Sequence, residues 1–452
     1  MKANRQRSSS PRRAPGPAGR PLVGSLLDVW RDPLGTFVRA WRDHGDFVRL
    51  RFGRLEYLLL SDPDAVRKVL VERTSNYRKL GSPLFKLILG DGLLVSQGDL
   101  WQRQRRLARP AFTRERLHAA VPQMAEAAER AVDRWLTLPD GRLDLHREMT
   151  NLSFRVVGLT LLGIDLEEET EEFARTARVC RPLIEEHARL MIRLPLWVPT
   201  PTNRRFEREV GNLHRLIRRI IARRRAAGDA GQRGDLLSML MSARDEDASA
   251  MDDQQVHDEI VSMLLAGHDT VTSGLTFLFH LLDRHPDAQA RLRAEVLEAV
   301  GERRVGAADV AQLGSLGRAI EEAMRLYPPI WAFEREAIAD DTLGGFAVPA
   351  GTRVGFFPYI LHRHPAYWDD PDRFDPDRFL RDRSERSRPA YLPFGLGPRT
   401  CIGASFAMIE MTVVAATLLR RCTIRLTGGP AALDPGLTLR PRGGMPAQVV
   451  HA

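Results

Sequence analysis

One cysteine, placed where a glycine-rich turn runs into a long apolar stretch, constrains this chain more than any other feature. Residues 394–403 read Phe-Gly-Leu-Gly-Pro-Arg-Thr-Cys-Ile-Gly. Three glycines and a proline bend the backbone around Cys401. The run that follows, IGASFAMIEMTVVAATLLRR, has the spacing of a long, mostly apolar helix. The fold must therefore deliver a thiol to the start of a helix and bury the helix behind it. Free N–H groups and the positive end of the dipole favour a thiolate there.

A thiolate so placed is a soft metal ligand, and the iron of haem is one metal that accepts it. A buried structural cysteine is the ordinary reading of a lone thiol. That reading needs neither Arg399 two residues before nor Gly403 two residues after. A flat cofactor uses both: Gly403 removes a side chain where a macrocycle would lie, and Arg399 offers a cation to a carboxylate. The stretch fits F-x-x-G-x-R-x-C-x-G at every fixed position, Phe394 included. In this it resembles the haem-thiolate signature of the cytochrome P-450 family.

The 452 residues are long for one domain, yet no repeat or linker divides them. A single domain over 21–452 is expected, with a minor lobe. Residues 1–20 are basic and Pro/Ser-rich and read as disordered, neither a signal peptide nor an anchor. No apolar run approaches the ~20 residues that span a bilayer, so a cytoplasmic protein is expected. Cys180, Cys401 and Cys422 are odd in number and widely spaced, which implies no disulfide framework. The net charge of +9 suits a basic face for an acidic partner. Its densest cluster, 215–228, spaces arginines along an amphipathic helix with Leu216, Ile217, Ile220 and Ile221 opposite. A solvated helix face explains that better than nucleic-acid binding.

Along the chain, WRDPLGTFVRAWRDHG is helical in period and closed by Gly45; FVRLRFG and EYLLL read as paired strands; SDPDAVRKVLVER reads as a capped helix. The glycine-broken apolar loop 76–98 is a candidate wall for an oily ligand, with Leu84, Phe85 and Ile88 facing it. Trp101 and Arg105 are four apart on one helical face. Residues 120–240 are almost entirely helical in period, broken by prolines between 171 and 205. The stretch 251–286 is a helix too long and too uncharged at its centre for a surface position. Ala266, Gly267, Thr270 and Gly274 make a stripe of small residues in which a flat body can lie. Asp269 and Thr270 are a carboxylate and a hydroxyl in apolar surroundings, and a buried acid needs a task or a partner. The other reading is a core helix with Thr270 bonded back to a carbonyl. Glu322 and Arg325 are three apart on one face. TLGGFAVPAGTRVGFFPY reads as a glycine-turned hairpin, and the tail LTLRPRGGMPAQVV as a last strand pair.

Four of these stretches match landmarks of the same family, in order. The resemblance implies that Trp101 and Arg105 donate to a haem propionate, with Arg335 and Arg399 as further propionate ligands. It implies that Ala266 and Gly267 lie against haem, and that Asp269 and Thr270 relay protons for oxygen activation. Glu322, Arg325 and Arg378, the last from the second of two PDRF copies, would form a structural cluster. Ile330, Trp331 and Phe333 would contact substrate, and 171–205 would resemble an access lid. The implied fold is mainly α, a triangular helical body with a small β lobe. The implied cofactor is haem b with Cys401 as metal ligand. Electrons would come from NAD(P)H through a ferredoxin and its reductase, or a flavodoxin-type donor. A monomeric monooxygenase acting with O2 on a lipophilic molecule such as a terpenoid is the leading expectation. The alternatives are a haem-thiolate isomerase, dehydratase or peroxygenase, and a non-catalytic haem sensor.

Overall fold

The computed structural model describes the chain outside residues 1–10, 82, 166–175, 177–197, 227, 229–234, 244–249, 382–389 and 452. Its contacts gather into two compact units. The first comprises Met1–Leu80, Ala332–Pro371 and Ser384–Thr400; the second comprises Gly81–Trp331, Asp372–Arg383 and Cys401–Ala452.

The first unit is built on a five-stranded sheet. Strands β1 (Phe47–Phe52) and β2 (Leu55–Leu60) form the expected hairpin, Leu50 opposite Tyr57. With β3 (Tyr77–Lys79), β5 (Phe333–Ala337) and β8 (Arg353–Phe356) the order is β1-β2-β8-β5-β3. Strands β6 (Asp341–Leu343) and β7 (Phe346–Val348) pair across the Gly344–Gly345 turn. Helices α1 (Leu26–Arg31), α2 (Pro33–His44), α3 (Pro63–Arg67) and α14 (Pro358–Leu361) belong to this unit. Asp32 caps α2 by accepting the Gly35 N–H at 2.9 Å, and Gly45 ends it at φ 88°. Asp62 caps α3, which widens into a π turn over Lys68–Glu72. Leu58, Leu60, Val66, Val354, Phe356 and Leu392 form the sheet's core.

Composition argues for disorder through residue 20, whereas residues 11–20 make specific contacts. Arg12 bridges to Phe346, the Arg49 N–H donates to the Pro15 carbonyl at 2.7 Å, and Ala14 is buried. Gly16 permits this approach: a Cβ there would lie 1.9 Å from the Arg49 carbonyl. A low-hydrophobicity segment can be ordered when its small residues fit a sheet that already exists.

The second unit is helical: α4 (Pro83–Leu89), α5 (Gly98–Ala108), α6 (Arg114–Leu136), α7 (Leu145–Val157), α8 (Pro201–Ala226), α9 (Leu236–Ser242), α10 (Asp253–Arg284), α11 (Pro286–Val300), α12 (Ala307–Val310), α13 (Gly314–Leu326), α15 (Arg378–Arg381) and α16 (Ala404–Arg421). The long helix α10 packs against α7, α8, α13 and α16 and is buried along most of its length. Helix α16 packs on α6, α11 and α13. Arginines line the outer face of α8 as expected, but Arg224 turns inward, bonded to Asp235 (2.7 Å), Ser238 and the Leu162 carbonyl. No helix among the described residues is long and apolar enough to cross a membrane.

Two expectations need correction. The helical reading of 120–240 misses β4 (Arg142–Asp144), which splits α6 from α7 and pairs with β12 (Pro446–His451). The tail is not one strand pair. β11 (Leu439–Pro441) pairs with β10 (Leu433–Pro435), while β12 pairs with β4 and β9 (Cys422–Leu426). Gly443 and Gly444, at φ 79° and 90°, redirect the chain between them. Cys180 and most of 171–205, the expected lid, lie outside the described residues.

Candidate active site

Cys401 stands three residues ahead of the first residue of α16, and its side chain is accessible. Dense protein around the sulfur pushes the thiol above its ordinary range, and this is the largest influence. The Gly403 N–H and the Arg105 guanidinium pull it back down. The helix start alone therefore does not make a thiolate, because the sulfur lies outside the first turn, where the dipole falls off. A bound metal cation would supply the missing stabilisation. Among the described residues, a Cβ on Gly403 would meet only Phe112 and the Cys401 sulfur, at 3.8 and 3.9 Å. Protein packing does not demand glycine there; a flat group against the helix start would.

Before the cysteine, the loop is fixed within the first unit. Gly397 has φ 77°, and a Cβ there would lie 1.9 Å from the Leu70 carbonyl. Thr400 donates to the Gly397 carbonyl at 2.7 Å. Phe394 is half-buried beside the positive-φ Gly395.

On α10, residues 256–264 and 271–282 are mostly buried, yet Ala266, Gly267 and Thr270 are partly accessible. An apolar core helix thus leaves about one turn uncovered, a surface of small side chains suited to a flat ligand. The stripe is not a single groove, however. A Cβ on Gly267 would crowd Val157 of α7 at 3.2 Å, and one on Gly274 would strike the Met411 sulfur of α16 at 2.7 Å. Helix packing accounts for Gly274, while Gly267 is close to Val157 and still partly accessible. Thr270 donates to the Ala266 carbonyl at 2.9 Å, the back-bonded arrangement, which leaves its lone pairs open to accept. Asp269 is buried, and its Oδ2 accepts the Thr438 hydroxyl at 2.6 Å. Thr438 lies in the turn between β10 and β11, which is pinned by Trp331 Nε1 donating to the Gly436 carbonyl at 2.9 Å and the Leu439 N–H donating to the Pro329 carbonyl. Ser273 of α10 also donates to the Leu439 carbonyl. Sequence reading missed Thr438 because 169 residues separate it from its partner.

The carboxylate-binding candidates fall into two groups. In the second unit the Arg105 guanidinium lies 5.6 Å from the Trp101 ring centroid, so the two share a face as their spacing predicts. Burial lowers the Arg105 pKa, Cys401 raises it and Arg109 lowers it again. In the first unit Lys79 of β3 is in register with Arg335 of β5. Burial, then Arg399, then Arg335 drive the Lys79 pKa down to about 8. Three cations held close enough to repel one another form a site for an anion. Lys79 was not legible: a three-residue strand carries no alternation to fix its register.

Glu322 of α13 is fully buried. It accepts from Arg325 Nε (2.7 Å) and Nη2 (2.8 Å), from Arg378 Nε (3.0 Å) and from the Asp375 N–H (2.9 Å). Both guanidiniums also reach the Arg373 carbonyl, so the first PDRF copy contributes backbone while the second contributes Arg378.

Among the candidate substrate contacts, Leu84 and Ile88 of α4 are buried, while Phe85 and Ile330 are half-buried. Trp331 is buried and held by its indole N–H. Phe333 is half-buried and packs against the sheet core, stacked on Phe356 at 5.2 Å. An open cleft of about 530 Å³ in the first unit, lined by Lys68, Arg73 and Asp341 among others, includes none of these residues.

Comparison with known proteins agrees with this geometry. The cytochrome P450 family profile matches residues 14–445. The chain is 38% identical to cyclooctatin synthase of Streptomyces melanosporofaciens, over 94% of this chain and 91% of that one. It is 35% identical to cyclooctat-9-en-7-ol 5-monooxygenase of the same organism, over 94% and 93% of the two chains. It is 33% identical to pentalenene oxygenase of Streptomyces avermitilis, over 94% and 92%. The structure of retinoic acid-bound cyanobacterial CYP120A1 superposes with a TM-score of 0.86 at 24% identity, over 98% of this chain and all of that one, and shows the same fold. An accessible thiol before a core helix, a guanidinium that acts on it and shares a face with an indole, and an uncovered turn of small residues fit a haem with its carboxylates. This chain belongs to the cytochrome P450 family and is a haem-dependent monooxygenase of it.

Proposed function

We propose that this monooxygenase oxidises a lipophilic terpenoid, with electrons supplied by a separate ferredoxin and its NAD(P)H-dependent reductase. The relatives named for oxidation of pentalenene and of cyclooctat-9-en-7-ol support the substrate class. The observation that carries the site assignment is the accessible Cys401 sulfur facing the Gly403 N–H and Arg105. Cys401 is the proposed iron ligand. Trp101 and Arg105, and separately Arg335 and Arg399 with Lys79, are the proposed carboxylate partners. Ala266 and Gly267 give the flat surface, and Phe394 and Gly403 the shape of the loop. When bound, haem supplies the oxygen activation that no side chain here can perform.

The protein's own part is to deliver protons and exclude water. The Thr270 hydroxyl is tied to Ala266 through its hydrogen, so it presents lone pairs to a water. That water can pass a proton onward while Thr270 holds it. Asp269 can resupply the proton, and Thr438 fixes where its carboxylate stands. Leu84, Phe85, Ile88, Ile330 and Trp331 are the proposed apolar contacts that hold substrate.

The test is oxygen-dependent NADPH consumption with a surrogate ferredoxin and reductase, after a spin-state screen of lipophilic compounds. Pentalenene-like hydrocarbons are expected to give a hydroxylated product. Thr270→Ala is expected to retain haem while diverting electrons to peroxide. Full coupling in Thr270→Ala would remove it from the proton path. Ligand binding without turnover would favour the sensor reading.

A further inference from the structure

Outside the candidate active site, a chain of buried and half-buried polar side chains lies where α4, α8 and α10 meet. His257 of α10 is buried, and its Nδ1 is 2.9 Å from Asp258 Oδ1. Nε2 of the same ring is 3.1 Å from Nδ1 of His214 on α8. The far nitrogen of His214, Nε2, is 3.2 Å from the Leu87 carbonyl of α4. Asp258 is anchored further: its Oδ2 accepts the Asp91 N–H at 2.9 Å and its Oδ1 accepts Gln254 Nε2 at 2.7 Å. Burial alone would raise the Asp258 pKa, but the bonds from His257, Asp91 and Gln254 hold it below the ordinary value. It is a carboxylate and can only accept.

Counting hydrogens decides the state of the two rings. The Leu87 carbonyl can only accept, so His214 Nε2 must carry a hydrogen. The Asp258 carboxylate can only accept, so His257 Nδ1 must carry one as well. Gln254 Nε2, at 3.5 Å from that nitrogen, is too distant to compete. The two remaining nitrogens face each other at 3.1 Å and bond only if a third hydrogen lies between them. Two neutral imidazoles bring two N–H groups, and three contacts require three. One of the rings must be an imidazolium, its charge set against Asp258.

We infer that one proton shared between His214 and His257 completes a chain from Asp258 to Leu87 that fixes α4 against α10, which makes these histidines positioning residues for the α4 wall. The inference rests on the reading of α4 as a substrate wall only in that last respect. Losing the proton leaves two lone pairs facing each other, and the chain must break at one contact. The outermost, His214 to Leu87, is the half-exposed one and the least costly to release. α4 then loses the tie that holds Leu87 while Leu84 and Ile88 remain packed. Burial pushes the His214 pKa down, the Leu87 carbonyl raises it, His257 and Arg218 lower it, and Asp258 raises it. The remaining charged groups around the chain are Glu259 on α10 and the Lys86–Asp91 pair on α4 and its loop, 3.0 Å apart. Glu259, whose Oε2 accepts the Leu93 N–H at 3.1 Å, is pushed up to about 7 by burial.

The test is hydrogen–deuterium exchange of the haem-loaded full chain from about pH 5 to 9, since the balance of influences holds His214 below the ordinary imidazole value, corrected for intrinsic rates and read on peptides covering 83–93. The expected result is a step of roughly tenfold loss of protection as the shared proton leaves, the equivalent of one hydrogen bond to a charged group. His214→Phe and His257→Phe should abolish the step, and Glu259→Gln should keep it. The step should be unchanged in EDTA; a step that EDTA removes would mean that a bound metal holds the rings, and would overturn the proton. A step lost with Glu259→Gln, or uniform protection across the range, would also overturn it. Should the phenylalanine variants fail to fold, ring 15N shifts of the histidine-labelled wild type decide it: a shared imidazolium is expected, and two neutral rings at the acid end would refute it. No substrate enters these readouts, so their failure is separate from any failure of the haem-site assignment, which the carbon monoxide spectrum tests.

Discussion

Replacing Glu322 by alanine tests whether the buried cluster on α13 holds this fold. The wild-type carboxylate accepts two bonds from Arg325, one from Arg378 and one from the Asp375 N–H, all between 2.7 and 3.0 Å. The side chains of Glu322 and Arg325 are 0% exposed and that of Arg378 is 6% exposed. Alanine would take the Glu322 carboxylate from both guanidiniums and leave their bonds to the Arg373 carbonyl. Breaking a buried pair in this way costs about 3–5 kcal/mol, against the 5–15 kcal/mol that usually holds a domain. A good part of the stability should therefore go, although no atom of the cluster is proposed to touch substrate. Glu322→Gln keeps the shape and one acceptor oxygen and should cost less. The assay is urea unfolding followed by far-UV circular dichroism and by haem absorbance, at fixed haem concentration because bound haem itself stabilises the folded state. An unchanged slope with a lower midpoint is expected. A Glu322→Ala protein within about 1 kcal/mol of wild type would refute the reasoning, since ion pairs worth that little are solvent-screened ones.

Two further predictions follow from single side chains. Glu259 is fully buried and its pKa is raised from 4.5 to about 7, so the folded state binds the extra proton in that window. Its contribution is present below pH 4.5 and is lost as the pH rises to 7, on the order of 3 kcal/mol in all. Glu259→Gln should flatten that part of the stability–pH curve and be the more stable protein at pH 8, as read by denaturant midpoints; an unchanged slope would contradict the assignment. Gly397→Ala must place a Cβ against the Leu70 carbonyl at positive φ, and should cost about 2–4 kcal/mol and loosen haem retention. A wild-type midpoint and haem content would mean that the loop can shift.

What the sequence made legible was local. The capped start of α3, the β1–β2 hairpin, the long core helix and the Glu322–Arg325 spacing all follow from residues a few positions apart. The two cations of unlike origin on Glu322 were accessible only because Arg378 lies in a motif with known spacing to Cys401. What escaped depends on contacts distant in sequence. Nothing near Thr438 announces that its hydroxyl meets Asp269. The tail's strands were legible but their partners were not, because β4 lies some 300 residues upstream of β12. Gly267 and Gly274 spell a groove in sequence, yet Val157 and Met411 occupy the space beside them. Phe333 was read as a substrate contact from the resemblance of its segment, and its partial packing on the sheet core and on Phe356 was not legible.

The central claim is that the Cys401 sulfur ligates haem iron. Purified protein, reduced and exposed to carbon monoxide, tests it most directly. The account predicts a red-shifted thiolate-type Soret band that disappears in Cys401→Ala while far-UV circular dichroism stays that of a folded helical protein. A wild-type spectrum with the Soret band of a neutral proximal ligand, or the thiolate band persisting in Cys401→Ala, would contradict it.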